Sequence, residues 1–352
     1  MMKKRLSLSV LLMVFLLAVT VPGFAAEYTA KKPLKIQLES FTPVGTPPGK
    51  IFHHIFDGLK EATGGIVVPQ YHEAGVMGAP SETLERVQSG VVDVGVLVAG
   101  YFPGVFPMTE IFELPIHYPD ATYGARAMVA MYKKGYFDKE YKDIKVITMY
   151  MIGPYQLLSR KPVRKVEDLK GMKLRGPTDM FRRIDERIGA IPVQLAGPEL
   201  FTAMDKDIID ATWANWEMSF AFKLKEPTKF TLQTQTSTSV HILAMNPNTW
   251  AKLPQVAKDY LDNNFEKFML DAGPFWQKPN AHFHEVLNAD PKIEQIVWSD
   301  AEFAKFDTLL APIFNKWIAD REAQGYPARQ AVNDLHQILV NMGVKSPFAK
   351  PE

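Results

Sequence analysis

Two short segments carry the side chains best suited to bind a small charged molecule. Arg175 ends an apolar stretch and precedes a Gly-Pro loop, and further along the chain come Trp213, Asn215, Trp216 and Glu217. The planar guanidinium of arginine matches a carboxylate with two parallel hydrogen bonds. Asparagine adds a donor and an acceptor, tryptophan can stack, and glutamate can accept from a hydroxyl or an ammonium group. These residues predict recognition of an organic anion, with a surface ion pair as the alternative for Arg175.

The second segment can also be explained by packing. An extended backbone from 213 to 217 would place Trp213, Asn215 and Glu217 on one face and Trp216 on the other, because side chains alternate along a strand. We therefore expect one of the two tryptophans in a binding cleft, with core packing as the alternative for either. Glu217 would contact a ligand or pair with Lys223.

Aromatic side chains and one histidine mark other places where a ligand would be held. Phe41 follows the first predicted strand and Tyr101 follows the third, and loops after strands are common sites of ligand contact. His241 lies near a predicted crossover between domains. Together with the arginine, these rings predict a pocket for a monocarboxylate with an apolar or aromatic body.

The sequence lacks the residue patterns of common catalytic and metal sites. It contains no phosphate-binding P-loop, no G-x-G-x-x-G, no G-x-S-x-G and no H-E-x-x-H. It has no cysteine, which excludes disulfides, cysteine-ligated zinc, iron–sulfur clusters and a thiol nucleophile. His282 and His284 would point about 200° apart on a helix, so they would not chelate one ion together. We expect no catalytic residue, no metal site and no cofactor.

The stretches around these residues alternate between strands and helices. Apolar–polar alternation predicts a strand at 34–40, helical spacing predicts a helix at 51–63, and the β-branched run 91–98 is typical of a strand covered on both faces. Further elements are expected as strands at 66–71, 146–150, 157–158, 172–175 and 208–213, and as helices at 81–90, 181–188 and 198–206. The chain after 250 is predicted to be mainly helical, with helices at 256–270, 275–287, 304–323 and 327–342. This order favours parallel sheets with helices on both sides.

Length, composition and the first residues bound the class of protein. The chain of 352 residues is long enough for two domains, and its net charge of +1 gives no reason to expect nucleic acid as a partner. Lys3, Lys4 and Arg5 precede an apolar stretch at 6–21, and Ala25 ends the small residues of an expected cleavage site. The alternative is a membrane anchor, for which this stretch is short. We therefore expect a cleaved leader and a soluble mature chain in a bacterial periplasm.

Several short motifs, in this order and spacing, resemble one family. They are Gly64-Gly65 with Ala74-Gly75, the segments 89–95 (SGVVDVG), 112–115 (FELP), 168–175 (DLKGMKLR) and 198–204 (PELFTAM), then Ile209-Asp210, Trp216-Glu217 and 250–254. Over nearly its whole mature length the chain is similar to the periplasmic solute-binding subunits of TRAP (tripartite ATP-independent periplasmic) transporters, the DctP-type family.

The resemblance implies an α/β fold of the two-domain periplasmic binding protein kind, type II-like, with a long C-terminal helical region. Crossing strands and a long helix would join two domains that close on a ligand like a Venus flytrap. The expected limits are 1–25 for the signal peptide, 26–152 plus 241–280 for domain 1, and 153–240 plus 281–352 for domain 2.

By the same resemblance, Arg175 stands at the position of the family's selectivity arginine and would grip the ligand carboxylate. Some relatives have a second arginine where this chain has Tyr155, which can donate one hydrogen bond but cannot neutralise a carboxylate. Many relatives have proline where this chain has Asn215. The expected ligand-binding residues are Arg175, Tyr155, Trp213, Asn215, Trp216, Glu217, Phe41, Tyr101 and His241.

The function implied is that of a monomeric receptor without enzymatic activity. It would deliver a small organic acid to the small and large membrane permease subunits of a TRAP transporter. Two alternatives remain open. One is a ligand-sensing binding protein that presents its closed form to a membrane receptor, and the other is a secreted hydrolase or lyase, which would need a nucleophile or a metal.

Overall fold

Two sheets flanked by helices make up the part of the chain that the computed structural model describes, residues 28–195, 197–345 and 347–348. The signal peptide predicted at 1–25 lies outside the described residues. The strands are β1 (Leu34–Glu39), β2 (Val67–His72), β3 (Val94–Val98), β4 (Lys145–Met151), β5 (Tyr155–Ser159), β6 (Lys173–Arg175), β7 (Ile191–Val193), β8 (Ala211–Ala214), β9 (Phe230–Thr236), β10 (Val240–Met245) and β11 (Glu294–Ile296).

The helices cover both sheets and occupy most of the chain beyond residue 246. They are α1 (Pro47–Ala62), α2 (Thr83–Ser89), α3 (Ala121–Tyr132), α4 (Asp179–Arg187), α5 (Leu200–Asp205), α6 (Trp216–Ala221), α7 (Pro247–Lys252), α8 (Gln255–Asn263), α9 (Phe265–Asn288), α10 (Asp300–Glu322) and α11 (Ala328–Asn341). Within the described ranges, none of these helices is both long enough and apolar enough to span a bilayer.

The first sheet has the strand order β2-β1-β3-β10-β4. Strands β2, β1 and β3 are parallel, as the sequence predicts, but β10 runs antiparallel to both β3 and β4. All five residues of β3 are buried, which confirms a strand covered on both faces. The strand starts at Val94 rather than at Val91, because Gly90 ends α2 with a φ of 77° and the chain is still exposed at Val91.

The second sheet has the order β11-β9-β5-β8-β6-β7. Strand β6 is parallel to both β7 and β8, while β5 is antiparallel to β8 and β9. Arg175, the last residue of β6, pairs with Thr212 of β8. Gln156 near the start of β5 pairs with Ala214 at the end of β8. The ends of β6 and β8 and the start of β5 therefore meet at one edge of this sheet.

Two crossovers join the sheets and are hydrogen-bonded to each other. One leads from β4 to β5 and the other from β9 to β10. The amide of Ile152 donates to Ser239 O at 3.3 Å, the amide of Tyr155 donates to Ser237 O at 3.3 Å, and Thr238 Oγ1 donates to Ile152 O at 2.9 Å. The predicted domain limit at 152/153 lies in the first crossover, and the limit at 240/241 lies after the first residue of β10. The limits themselves stay a prediction.

Helix α9 is the long helix that contacts both halves. It packs on α1, α3 and β4 beside the first sheet and on α6 beside the second. Pro274 and Pro279 lie inside it. Proline has no amide hydrogen, so each removes one rung of the helical hydrogen-bond ladder.

Two local expectations are wrong. The segment 213–217 is not extended, because β8 ends at Ala214 and Asn215 caps α6. The alternation argument for Trp213 and Trp216 therefore does not apply. The chain after 250 is helical as predicted, but the expected helix across 256–270 is interrupted at Asn264 between α8 and α9.

Candidate functional site

Arg175 is a buried cation at the end of β6. Its side chain is 2% exposed, and Nε donates to Leu195 O at 3.0 Å. Among the described residues, Arg175 forms no ion pair and its Nη1 has no hydrogen-bond partner. Burial lowers its pKa, and the nearby Asp185, Tyr101 and Tyr155 act in the opposite direction. The guanidinium is thus available to an anion at a place where water is largely excluded.

Asp185 on α4 carries the carboxyl group that interacts electrostatically with Arg175. It is fully buried, and Oδ1 accepts from the indole Nε1 of Trp213 at 2.7 Å. Burial raises the pKa of Asp185 to about 7, against the effects of the Trp213 hydrogen bond and the charge of Arg175. Trp213 is fully buried and its ring lies 5.6 Å from that of Phe181. The tryptophan therefore packs in the core and holds Asp185 in place.

Two tyrosines interact electrostatically with the guanidinium of Arg175. Tyr155 is 2% exposed, its hydroxyl lies 3.0 Å from Ser239 Oγ, and its ring packs edge-on against Phe181 at 4.9 Å. Tyr101 follows β3 and interacts electrostatically with Arg175. Burial raises the pKa of both tyrosines, so both hydroxyls keep their protons and remain hydrogen-bond donors.

A second group of aromatic side chains lies at the edge of the first sheet where β1, β3 and β4 end and β10 begins. His241, the second residue of β10, has its Nδ1 3.3 Å from Tyr150 Oη, and the two ring centroids are 5.2 Å apart. Phe41 packs edge-on against His241 at 5.7 Å. Burial lowers the pKa of His241 to about 3, so its imidazole is neutral near pH 7.

The segment after β8 provides an amide, a ring and a carboxyl group. Asn215 is fully buried and caps α6, since its Oδ1 accepts from Met218 N at 2.9 Å. Trp216 stacks on His284 at 4.6 Å between centroids. Burial raises the pKa of Glu217 to about 7, and the charge of Lys50 on α1 opposes this.

The alternative role of Glu217 as a surface ion-pair partner does not hold in this structure. Its side chain is 7% exposed, and within the described part of the chain it forms no ion pair, with Lys223 or any other residue. Its backbone amide donates to Asn280 Oδ1 at 3.0 Å, which joins the start of α6 to α9.

Gly100 lies where Glu113 and Thr178 approach each other, with no room for a side chain at that position. Gly100 follows β3 of the first sheet, and Thr178 precedes α4 of the second. A β-carbon at Gly100 would lie 2.5 Å from Glu113 Oε2 and 2.5 Å from Thr178 Cβ. Glu113 is fully buried, its Oε1 accepts from Val240 N at 3.0 Å, and burial raises its pKa to about 8.

The predicted residues fall into three groups. Arg175, Tyr155, Tyr101 and Asn215 lie where β6, β8, β5 and β3 end or begin, while Phe41 and His241 form the ring cluster of the first sheet. Trp213 is in the core, and Trp216 and Glu217 lie where α6 meets α9. Their contact with a ligand stays a prediction.

Sequence reasoning missed Glu113 and Asp185. Asp185 lies four residues after Phe181 in a predicted helix, so it shares the buried face of that helix, and this spacing was a usable signal. Glu113 stands in a short 3₁₀ turn with no periodicity to reveal its burial.

Over the described ranges, no three side chains of His, Asp or Glu are grouped so that they would hold a metal ion. His284 instead stacks on Trp216, and His282 lies beside Phe283 at 5.1 Å between ring centroids.

Comparison with known proteins identifies the family of this chain. The sequence profile of "Bacterial extracellular solute-binding protein, family 7" (DctP) matches residues 39–320. A TRAP solute-binding protein of Rhodoferax ferrireducens T118, solved with copurified benzoate, is 25% identical with a TM-score of 0.80, covering 88% of this chain and 98% of that one. A marine metagenome TRAP solute-binding protein "specific for aromatic acid ligands", solved with metahydroxyphenylacetate, is 25% identical with a TM-score of 0.80, covering 88% and 99%.

A curated relative, the uncharacterized protein YiiZ of Salmonella typhimurium, is 25% identical over 48% of this chain. The chain spans about half the length of that relative, 53%. The profile match covers most of the chain, and the two solved structures share its α/β fold over 88% of its length. The family and the fold are those of periplasmic substrate-binding proteins, and the chain belongs to bacterial extracellular solute-binding protein family 7, the DctP family.

Proposed function

We propose that this protein is the periplasmic receptor of a TRAP transporter for a small organic monocarboxylate with an aromatic body. Arg175 would pair with the ligand carboxylate, and the ligand-bound form would be handed to the membrane permease subunits. The observation that carries the proposal is the buried guanidinium of Arg175, which has an Nη1 without a hydrogen-bond partner among the described residues. A buried charge is costly unless it is paired, so an anionic ligand would stabilise the protein strongly.

The aromatic side chains near Arg175 support the proposal that the ligand has an aromatic body. Tyr101 and Tyr155 interact electrostatically with the guanidinium, and Phe181 packs against Tyr155. Rings of this kind favour flat apolar groups by offset or edge-on packing. Two solved relatives at 25% identity were obtained with benzoate and with metahydroxyphenylacetate. A carboxylate at one end and a ring at the other is the common chemistry.

Binding would require the two halves to move apart and close again. Arg175 is 2% exposed, and the cavity beside Gly100 and Glu113 measures about 10 Å³, room for one water molecule. The two hydrogen-bonded crossovers are where such a hinge would lie, with domain 1 formed by 26–152 plus 241–280 and domain 2 by 153–240 plus 281–352. Hinge closure around a solute is a known mode of periplasmic binding proteins.

The proposal also includes export of the chain with cleavage of the leader at 1–25 and a monomeric mature form. The composition of 1–25 supports the first part. Edman sequencing of the periplasmic protein would test it, with an N-terminus near residue 26 as the expected result.

A thermal-shift screen of the mature protein tests the ligand class. The panel would contain benzoate, 3-hydroxybenzoate, mandelate, succinate and glucuronate, with wild type beside Arg175→Met. A ligand at about 100 times its dissociation constant stabilises the native state by roughly 2.7 kcal/mol. We expect the aromatic monocarboxylates to raise the melting temperature of wild type and to leave that of Arg175→Met unchanged.

Arg164→Met is the matched control. Arg164 forms an exposed ion pair with Glu294, with 2.6 Å between Nη1 and Oε1, away from the strand ends that carry Arg175. This variant should respond like wild type. Shifts of equal size in wild type and Arg175→Met would refute the anchor, and shifts with succinate or glucuronate alone would refute the aromatic class.

A further inference from the structure

Glu113 carries a buried carboxyl group at the place where segments of the two sheets meet. It is 0% exposed, its Oε1 accepts from Val240 N at 3.0 Å, and its Oε2 has no hydrogen-bond partner among the described residues. Its 3₁₀ turn packs on β10, so Glu113 belongs with the first sheet. Oε2 and Thr178 Cβ each lie 2.5 Å from the position that a β-carbon of Gly100 would take, so only a residue without a side chain separates them.

The arginines around this turn are paired with other carboxylates. Glu110, on the same turn as Glu113, lies 2.7 Å from Arg321 Nη2 and 3.3 Å from Arg183 Nη2. Arg183 Nη2 is also 2.7 Å from an oxygen of Asp179. The negative charge of Glu110 disfavours a second negative charge on Glu113. An ionised Glu113 would therefore be a buried carboxylate next to another one.

Two tyrosines also interact electrostatically with Glu113. Tyr101 follows β3 and Tyr155 starts β5. Burial keeps both hydroxyls protonated, so neither carries a positive charge that would favour the carboxylate. Burial of Glu113 outweighs the effects of the Val240 amide and the Thr178 side chain and raises its pKa to about 8. In the arrangement described here, Glu113 is therefore protonated near pH 7.

Separation of the two halves would change the surroundings of this carboxyl group. The cavity of about 10 Å³ beside Glu113 is lined by residues of both halves, Gly100 and Glu110 from the first and Asp179 from the second. If the halves part, Thr178 and Asp179 withdraw together with α4, and Oε2 gains contact with water. A hydrated carboxyl group ionises near its ordinary pKa of 4.5. Glu113 would then bind a proton more weakly in the open arrangement than in the closed one.

We propose that closure over the ligand transfers one proton from the solvent to Oε2 of Glu113, so that ligand binding and proton uptake are linked. The inference deepens the proposed function and rests on it and on the hinge motion included there. The ligand anion and the proton enter together, so closure adds no net charge to the protein. A group that binds a proton more tightly in the ligand-bound form makes the affinity fall as pH rises.

Isothermal titration calorimetry with benzoate tests this linkage. Titrations at about pH 6.5 in buffers of different ionisation enthalpy give the number of protons taken up per ligand bound. We expect about one proton for wild type, and an affinity that falls about tenfold per pH unit between roughly pH 5.5 and 7.5. Benzoate stays ionised over this range, so the change would not come from the ligand.

Glu113→Gln is a neutral mimic of the protonated form. Glutamine keeps the side-chain oxygen that accepts from Val240 N, and it does not ionise. This variant should bind benzoate without proton uptake, with an affinity that stays constant over the same pH range. Its ligand-free melting temperature, measured in parallel, shows that it is folded.

Asp185→Asn and Glu217→Gln are the matched controls. Burial raises the pKa of each of these carboxyl groups to about 7, so each is also able to take up a proton. Asp185 is held by Trp213, which lies on the second sheet with it, and Glu217 lies where α6 meets α9. Neither lies at the contact between Gly100 and Thr178. Whatever their affinity, both variants should keep the uptake of about one proton.

Three outcomes overturn the inference, and two of them leave the proposed function standing. If wild type binds benzoate without proton uptake, Glu113 does not change its protonation on closure. If Glu113→Gln takes up as many protons as wild type, the proton goes to another group. If neither benzoate, 3-hydroxybenzoate nor mandelate binds wild type, the aromatic carboxylate assignment fails and the linked closure fails with it.

Discussion

Gly100 offers a test of whether binding depends on the two halves coming together. A β-carbon there would lie 2.5 Å from both Glu113 Oε2 and Thr178 Cβ, where ordinary contacts are 3.4–4 Å. Gly100→Ala therefore introduces an overlap of about 1 Å between segments that follow strands of different sheets. Overpacking of this kind costs about 1–3 kcal/mol. An open arrangement would relieve the overlap with Thr178, so that part of the cost falls on the closed arrangement alone, whereas the overlap with Glu113, which belongs to the same predicted domain as Gly100, is present in both arrangements.

The size of the effect follows from the population of the binding-competent form. A penalty of about 1–3 kcal/mol on closure lowers the apparent affinity roughly 5-fold to 150-fold. We expect calorimetry with the best acid of the panel to show this loss, and we expect a lower ligand-free melting temperature as well, because the overlap with Glu113 is present in both arrangements. Small-angle X-ray scattering should show a smaller decrease in radius of gyration on ligand addition than wild type shows.

Gly45→Ala is the matched control, because a β-carbon at Gly45 would meet no atom within 4 Å. It should bind like wild type. If Gly100→Ala keeps the affinity and the scattering change of wild type, the contact between Gly100 and Thr178 does not limit closure, and the hinge reasoning is wrong.

Four further predictions concern the buried polar groups. Arg175→Met should raise the ligand-free melting temperature, because it removes a buried cation that has no carboxylate partner among the described residues; differential scanning calorimetry would measure this, and a lower value would show that the charge is already compensated. Burial raises the pKa of Glu113 from 4.5 to about 8, so the folded state keeps a proton that the unfolded state releases, and this group makes stability fall as pH rises from about 4.5 to 8. Glu113→Gln should reduce that slope in urea unfolding by about one proton. Burial lowers the pKa of His241 from 6.5 to about 3, so stability should also fall as pH drops below 6.5, and His241→Gln should reduce this second slope. Trp213→Phe leaves Asp185 Oδ1 without its indole donor and should cost about 1–3 kcal/mol in urea unfolding, whereas an unchanged midpoint would show that the bond contributes little.

Local patterns predicted many of the elements of the first half of the chain. The alternation in 34–40, the apolar face of α1 and the β-branched run before Val98 each correspond to an observed element. These features depend on neighbouring residues, which is why the sequence reveals them. The position of Arg175 at a strand end was also readable, since a Gly-Pro loop follows it.

Non-local pairing was not readable in the same way. The insertion of β10 between β3 and β4 depends on residues more than 80 positions apart in sequence. The capping role of Asn215 depends on where β8 stops, and an extended segment was expected there instead. The burial of Glu113 depends on the approach of Gly100 and Thr178, which no periodicity encodes. In each case the deciding interaction is made by tertiary structure rather than by local preference.

Two prolines lie within α9, the helix that packs against both the first and the second sheet. Without the amide hydrogens of Pro274 and Pro279, the carbonyls of Leu270 and Phe275 lose their usual helical donors. Because these two hydrogen bonds are already missing, we expect α9 to bend more easily at the prolines than elsewhere between its packing on α1 and α3 and its packing on α6. We expect amide hydrogen exchange to be fastest, within α9, near these two residues. If the two sheets move relative to each other, α9 would then bend near its middle, and each end of the helix would move as a rigid unit with the sheet on which it packs.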